Sequence, residues 1–186
     1  MKVAVSGSIG SGKSVVCEYL VQKGYAVFSC DEVNRHLLDK GEEGYLKVKE
    51  IFPECFSEDE LDRKKLAELI FADEEKRKIL ECIMHPLILK RLQERKEDPL
   101  FAEVPLLFET GWDEYFDHNL LIVTDLDLLI ERVGERGMSK DELLKRLDAQ
   151  MSVEEKAKRA DKIIYNNGSL EQLYSYVEEW LKEIIC

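Results

Sequence analysis

The sequence predicts a three-layer α/β fold in which helices cover both faces of a parallel five-stranded sheet. Short apolar runs alternate along the 186 residues with segments of helical periodicity, a pattern typical of parallel sheets. The first run leads through a glycine-rich loop into a helix. About seventy residues of helical pattern separate the second run from the third, against the roughly 10–12 that a crossover needs. We therefore expect an inserted helical lobe there.

The predicted strands lie at residues 3–5, 25–28, 100–104, 120–124 and 163–165. Several helix starts are predicted by a serine followed three residues later by Glu or Gln, because the two side chains cap each other's backbone amides. The pairs are Ser57 with Glu60, Ser139 with Glu142, Ser152 with Glu155, and Ser169 with Gln172. Pro86 interrupts a helical pattern from about residue 73 to 96, so we expect the helix to restart there with His85 as its cap.

Composition restricts the partners and the compartment. The chain carries 39 acidic and 27 basic side chains, a net charge of −12, so phosphate backbones and anionic membranes should repel it. No apolar stretch reaches the roughly 18 residues of a membrane span. The five cysteines are widely spaced and odd in number, which is typical of reduced thiols. We expect a cytoplasmic, monomeric protein that binds neither nucleic acid nor membranes.

Residues 7–14 have the sequence GSIGSGKS, a full match to the phosphate-binding pattern G-x-x-x-x-G-K-S/T between a strand and a helix. Glycines let the backbone aim its N–H groups at phosphate oxygens, and the following helix contributes its positive N-terminal end. Lys13 is expected to reach the β- and γ-phosphates, and Ser14 to bind magnesium. The residues expected to contact ATP in this loop are Gly7, Ile9, Gly10, Ser11, Gly12, Lys13, Ser14 and Val15.

Two other interpretations of this loop stay open. One is a glycine-rich turn with an exposed lysine at the helix start and no ligand. The other is a dinucleotide site, because Gly10 and Gly12 precede Asp31 at about the distance of a ribose-binding acid. Against the dinucleotide site, Val15 stands where that pattern needs a third small residue.

The rest of the chain favours a small-molecule kinase over other phosphate-loop proteins. No Asn-Lys-x-Asp segment is present to recognise guanine, which argues against a GTPase. Motor proteins need an acid pair at the end of a buried strand, whereas the third strand offers only Glu103. A kinase needs an acceptor lobe, a general base and mobile cations.

The candidate base is Asp31, which follows the second strand at the sheet edge that carries the phosphate loop. Open α/β sheets bind ligands at that edge, and a carboxylate there can orient and deprotonate an acceptor hydroxyl. The alternative is that Asp31 caps a helix beginning near Glu32.

The candidate cations follow the fourth strand. A helical pattern over residues 127–136 places Arg132 and Arg136 four residues apart on one face, and a capped helix bearing Arg146 follows. This arrangement is typical of a lid, because the planar guanidinium binds phosphate oxygens and stays charged. The alternative, which we weigh equally, is a solvated face that pairs with neighbouring acids. Those acids are Glu131, Glu135 and Glu142.

The chain resembles the dephospho-CoA kinase family over nearly its whole length. The segments that carry the resemblance are residues 7–14, 61–88, 104–109, 132–136, 146–150, 160–161 and 166–168, and the His-Pro and Pro-Leu-Leu-Phe-Glu sequences are the most specific. The resemblance implies a fold of the P-loop nucleoside triphosphate hydrolase type. It also implies ATP-dependent phosphorylation of the ribose 3′-hydroxyl of dephospho-CoA, the last step of coenzyme A biosynthesis.

The resemblance also implies a division of the single domain. Residues 1–31, 98–127 and 151–186 would form the nucleotide-binding core, residues 32–97 a CoA-binding insertion, and residues 128–150 the lid. A nucleoside monophosphate or other small-metabolite kinase is the alternative within the same class. A module that binds ATP without turnover is the alternative from another class.

Carried over to this sequence, the resemblance gives each candidate residue a role. The catalytic residues would be Asp31, Lys13, Arg132 and Arg136. Arg146 and Asn166 would join the phosphate loop in binding ATP, and Ser14 and Glu103 would hold Mg²⁺. The residues at the acceptor would be Asp31, His85, Leu106 and Glu109. Ser29 replaces an aspartate that is frequent in the family, which places more weight on Asp31.

Overall fold

The computed structural model of the chain describes residues 1–185 and contains the expected parallel sheet. Its strands are β1 (Lys2–Gly7), β2 (Ala26–Ser29), β5 (Leu100–Glu103), β6 (His118–Val123) and β7 (Lys162–Tyr165). They are ordered β2-β5-β1-β6-β7, and every neighbouring pair is parallel. The carboxyl ends of all five strands therefore share one edge of the sheet, and the predicted fold class is confirmed.

The chain forms two compact units. The first comprises Met1–Ser29 and the chain from Glu97 onward, and contains the parallel sheet. Its helices are α1 (Lys13–Gln22), α6 (Leu126–Gly134), α7 (Lys140–Asp148), α8 (Val153–Ala157) and α9 (Leu170–Ile185). The second unit, Cys30–Lys96, contains α2 (Cys30–Leu37), α3 (Glu43–Ile51), α4 (Arg63–Ala72), α5 (Glu74–Glu94) and a hairpin of β3 (Phe56–Ser57) and β4 (Glu60–Leu61).

The core of the first unit lies between the central strands and helices α1 and α9. Central strands of a parallel sheet are covered on both faces, so their side chains are apolar throughout. Val3 and Val5 of β1 are fully buried, and Phe101 of β5 packs edge-to-face on Trp180 of α9, with ring centroids 6.0 Å apart. This packing fixes β1, and with it the start of the loop that follows.

Three of the four serines cap a helix start as predicted, two of them reciprocally. Ser152 with Glu155 and Ser169 with Gln172 cap each other's amides. Ser139 accepts a hydrogen bond from the Glu142 amide, but the Glu142 carboxylate pairs with Arg146 instead of returning the contact. The fourth prediction is wrong, because Ser57 and Glu60 pair across the hairpin of β3 and β4. The residues between them turn the chain with positive φ, and Asp62 caps α4 instead. The two positive-φ residues are Glu58 and Asp59.

The expected break at Pro86 is also wrong, because α5 runs without interruption from Glu74 to Glu94 and places His85 in its interior. A proline inside a helix costs about 3 kcal/mol through a lost hydrogen bond and a steric clash. Buried apolar side chains lie on both sides of it, and burial of each contributes roughly 1.5–3 kcal/mol. These are Met84, Leu87, Ile88 and Leu92. Helices α2, α3 and α4 all pack on α5, so this burial outweighs the cost.

Within residues 1–185, Cys17, Cys30, Cys55 and Cys82 form no disulfide bond, and Cys186 lies outside the described residues. Burial raises the pKa of the Cys17 thiol well above its ordinary value, so this side chain is an apolar core residue. The described part of the chain has no helix with the length and hydropathy needed to cross a bilayer.

Candidate active site

The phosphate loop joins β1 to α1 at the carboxyl edge of the sheet, and two of its glycines cannot be replaced. Gly12 precedes α1 with φ of 102°, and a Cβ there would lie 2.4 Å from Nδ2 of Asn166. At Gly7 a Cβ would lie 2.4 Å from the carbonyl oxygen of Ile122. The close approach lets the loop curl over the N-terminus of α1, whose free amides and dipole favour an anion.

Lys13 and Ser14 are held by groups of the same unit. Nζ of Lys13 donates to the carbonyl oxygens of Gly7 and Ser8 at 2.7 and 2.8 Å. The Ser14 hydroxyl donates to Oε1 of Glu103, at the end of β5, at 2.8 Å. The ammonium therefore lies at the loop, and a hydroxyl and a carboxylate converge beside it.

The oxygens of Ser14 and Glu103 fit a magnesium ion. Mg²⁺ prefers hard oxygen ligands and binds through one or two carboxylates together with phosphate oxygens and water. Across residues 1–185 no group of three or more His, Cys, Asp or Glu side chains is arranged to hold a metal ion. The donor set is therefore of the kind that shares the ion with a bound phosphate.

A hydrogen-bond network supports the loop from the neighbouring strand ends. The carbonyl oxygen of Ser11 accepts hydrogen bonds from Oγ1 of Thr124 at 3.2 Å and from Nδ2 of Asn166 at 2.8 Å. Arg132 donates to Oγ1 of Thr124 and to the carbonyl oxygen of Asn166, at 3.2 and 3.0 Å. Thr124 is not among the site residues predicted from the sequence, because the sequence shows only a hydroxyl at the carboxyl end of a buried strand.

The expected arginine face differs from the one observed. Helix α6 ends at Gly134, so Arg136 lies in the turn after it and does not share a helix face with Arg132. A glycine ends the helix, because Gly137 has φ of 81° and the next amide bonds back to the Val133 carbonyl. Arg136 is exposed, and its backbone amide donates to the carbonyl oxygen of Val133 at 3.1 Å. Arg146 pairs with Glu142 at 2.7 Å, as the solvated-face alternative predicts.

A pocket of about 450 Å³ opens beside the phosphate loop. Ser8 and Thr124 line it on the side of the loop and of β6. Gln150, Met151 and Ser152, in the segment between α7 and α8, line it elsewhere. The last residue of the predicted lid and the two residues after it therefore form part of the wall of a cavity next to the phosphate loop.

Leu106 and Glu109 lie in the turns after β5, in different environments. Leu106 is 40% exposed. Glu109 is mostly buried and forms an ion pair with Lys156, with 2.8 Å between Oε1 and Nζ, and the same oxygen accepts a hydrogen bond from the Met151 amide at 3.1 Å. Lys156 is not predicted from the sequence as a buried residue, because a lysine in a short, highly charged helix has the pattern of a surface residue.

The second unit contains Asp31 and His85. Asp31 is the second residue of α2, which begins directly after β2, so it lies in the first helical turn and the cap assignment is wrong. Its carboxylate is exposed. His85 is half-buried in α5, and burial lowers the pKa of its imidazole, an effect that the charge of Glu81 opposes. The neutral imidazole is therefore favoured at pH 7.

Comparison with known proteins gives the same family for the whole chain. The model of the dephospho-CoA kinase family matches residues 1–172. The dephospho-CoA kinase of Thermus thermophilus is 41% identical over an alignment of 187 positions, which covers 98% of this chain and 91% of that protein. A crystal structure from the same organism superposes with a TM-score of 0.85 at 37% identity, covering 99% and 97% of the two chains. Dephospho-CoA kinase from Campylobacter jejuni superposes with a TM-score of 0.73 at 32% identity, covering 99% and 98%. With a family match over most of its length and a phosphate loop built as described, the chain belongs to the dephospho-CoA kinase family.

Proposed function

We propose that the protein transfers the γ-phosphoryl group of ATP to the ribose 3′-hydroxyl of dephospho-CoA, giving coenzyme A and ADP in the cytoplasm. The observation that carries the proposal is the phosphate loop, with Lys13 and the Ser14–Glu103 pair at the N-terminus of α1. Membership of the family gives the acceptor.

The loop binds the β- and γ-phosphates through backbone amides at the N-terminus of α1. Lys13 exchanges its contacts with the carbonyls of Gly7 and Ser8 for the phosphate oxygens, and its charge follows the phosphoryl group. Ser14 and Glu103 would hold Mg²⁺, which would neutralise charge on the phosphates. The hydrogen bond between these two residues keeps both oxygens on the same side of the loop.

Asp31 is the proposed base. It lies two residues beyond the end of β2, and ligands of open α/β sheets bind at the carboxyl ends of the strands. Its carboxylate accepts the proton of the 3′-hydroxyl as the oxygen attacks phosphorus. His85 and Leu106 are proposed to contact the acceptor.

The proposed lid comprises residues 128–150, and its cations act on the transferring phosphate. Arg132 reaches the network behind the loop, and Arg136 lies in an exposed turn from which it can move. The pair of Arg146 with Glu142 is half-exposed, so exchange of the carboxylate for a phosphate costs little. Asn166 is proposed to contact the nucleotide from the end of β7, and residues 32–97 to bind the acceptor.

The test is ADP release over a panel of acceptors with ATP and magnesium. Dephospho-CoA is expected to stimulate release, at a rate within the roughly 1–100 per second of kinases. AMP, CMP and shikimate are expected not to. Preferential phosphorylation of one of these would make the protein a different small-metabolite kinase. Binding of ATP without stimulation by any acceptor would make it a binding module.

A further inference from the structure

A buried ion pair connects the turn after β5 to the segment that follows the proposed lid. Lys156 of α8 is only 1% exposed, and its Nζ lies 2.8 Å from Oε1 of Glu109, whose side chain is 18% exposed. The same Nζ lies 3.3 Å from Oε1 of Gln150. A lysine is almost never fully buried unless it is paired, so these two oxygens determine where Lys156 lies.

The pair also holds a wall of the pocket beside the phosphate loop. Oε1 of Glu109 accepts a hydrogen bond from the Met151 amide at 3.1 Å, and Lys156 contacts the side chain of Gln150. Gln150 and Met151 line the pocket together with Ser8 of the loop, whereas neither Glu109 nor Lys156 lines it. The ion pair therefore acts on the pocket only through the two residues that it holds.

A second set of polar contacts holds the chain just after α8 to the same turns. The guanidinium of Arg159 makes a two-point contact with the carboxylate of Asp113 and donates to the carbonyl oxygen of Phe108 at 2.7 Å. Residues 150–159 are thus fixed at two places to residues 108–113. The proposed lid returns to the core at the first of these places.

Stability alone does not require charges at this position. Taking two charges out of water is expensive, and apolar residues of similar volume are often as stabilising as a buried ion pair. A buried ion pair does impose one geometry on the groups it joins.

Oε2 of Glu109 is buried and has no hydrogen-bond partner within residues 1–185, so it is out of reach of a ligand in solvent.

We infer that Glu109 and Lys156 are positioning residues for phosphoryl transfer. They fix the pocket wall at Gln150, the last residue of the proposed lid, and at Met151, as the base from which the rest of that lid closes over the nucleotide. Glu109 then has this role in place of the contact with the acceptor that the family resemblance implies. The inference deepens the proposed function and rests on it. Both residues act through the wall and touch neither substrate.

A double-mutant cycle tests the inference. Glu109→Gln and Lys156→Met are each expected to lower kcat about tenfold or more, with KM for dephospho-CoA within about twofold of the wild type. The double variant is expected to lose less than the product of the two single losses, by a factor of about five or more, because residues in contact are coupled. A matched control is Glu183→Gln with Lys162→Met, an exposed pair at 2.7 Å in the same unit, which should change neither constant.

Other outcomes of the cycle would overturn the inference. If Glu109→Gln raised KM for dephospho-CoA and Lys156→Met did not, Glu109 would contact the acceptor. If the loss of kcat in the double variant equalled the product of the two single losses, the two residues would act separately. If a single variant failed to fold, the double variant would decide, because it leaves no unpaired charge in the interior. A folded double variant with the kcat of the wild type would contradict the inference.

A second readout follows the lid without any acceptor. Trypsin cleavage after Arg136, identified by mass spectrometry, is measured with and without a non-hydrolysable ATP analogue and magnesium. The nucleotide is expected to protect this site in the wild type and less so in each variant. Equal protection in all four proteins, or none in the wild type, would overturn the inference. A wild type that is protected but does not phosphorylate dephospho-CoA would contradict the proposed function alone.

Discussion

At the scale of single residues, the polar groups around the phosphate loop are held in place by hydrogen bonds from the chain itself. Lys13 is fixed by two loop carbonyls, and Ser14 by Glu103. Thr124 and Asn166 fix the carbonyl of Ser11. Backbone amides of a loop that is already held in place need little reorganisation when charge develops on a phosphate, and such preorganisation is the largest single contribution in many enzymes.

Lys13→Ala tests the role of the ammonium. We expect kcat to fall at least about a hundredfold, because the charge that follows the phosphoryl group is lost. The free energy of unfolding should change by only about 1 kcal/mol, the net value of a typical hydrogen bond. Steady-state ADP release and chemical denaturation measure the two effects. Lys182→Ala, an exposed lysine on α9, is the control, and near-normal kcat in Lys13→Ala would contradict the assignment.

Asp31→Asn tests the base. The variant keeps the shape of the side chain and loses the charge that accepts the proton, so turnover should fall at least about a hundredfold. Because Asp31 lies in the first turn of α2, the lost charge should cost only about 0.3–1 kcal/mol of stability. Calorimetry should still detect ATP binding. Glu32→Gln removes a charge from the same turn and should keep its turnover. Retained turnover in Asp31→Asn would leave the carboxylate without a catalytic role.

At the scale of secondary-structure elements, one local pattern gives two different structures. Ser152 with Glu155 starts a helix, whereas Ser57 with Glu60 forms a hairpin. The difference arises between the two residues, where the hairpin places its turn in the left-handed region. The helix that follows is capped by Asp62 instead, a residue type with the same capping ability as serine.

The difference between Ser152 and Ser57 can be measured as a difference in the free energy of unfolding. Ser152→Ala should destabilise the protein by about 1 kcal/mol, within the range of about 0.5–2 kcal/mol for a lost helix cap. Ser57→Ala removes an exposed hydroxyl that caps nothing, and its effect should stay within about 0.5 kcal/mol. Urea denaturation of the two variants provides the comparison. Equal losses of unfolding free energy would mean that the capping box at Ser152 stabilises the fold no more than the exposed Ser57 hydroxyl does.

The elements that local sequence failed to predict are those decided by tertiary packing or by a helix end. Pro86 should break a helix on local grounds, yet apolar burial on both sides keeps α5 continuous. Arg136 has the spacing of a helical neighbour of Arg132, but Gly137 ends the helix before it. The pattern of apolar residues predicts that a helix exists better than it predicts where that helix ends.

At the scale of the whole molecule, the sheet and the phosphate loop could be predicted and the network around them could not. Each strand is a short apolar run, and the loop is contiguous in sequence, so both leave a local signal. The hydrogen bond from Asn166 to Ser11 joins residues 155 positions apart. The pair of Glu109 and Lys156 is likewise formed by folding, since nothing local distinguishes that lysine from a surface residue.

The charge of the whole chain places a further demand on the site. The protein carries a net charge of −12, and both proposed substrates are anions. The overall field therefore opposes their approach. Binding must depend on local cations and oriented amides, which act at short range where screening by salt is weak. We propose that the phosphate loop, Lys13 and the arginines of the proposed lid supply this positive potential.

The position of the new phosphate decides whether the protein transfers phosphate to the ribose 3′-hydroxyl of dephospho-CoA. The purified protein is incubated with ATP, magnesium and dephospho-CoA, and the product is analysed by phosphorus NMR and mass spectrometry. We expect one added phosphate, on the ribose 3′-oxygen, and one ADP formed for each phosphate transferred. A phosphate at any other position, or transfer to nucleoside monophosphates with none to dephospho-CoA, would contradict this expectation.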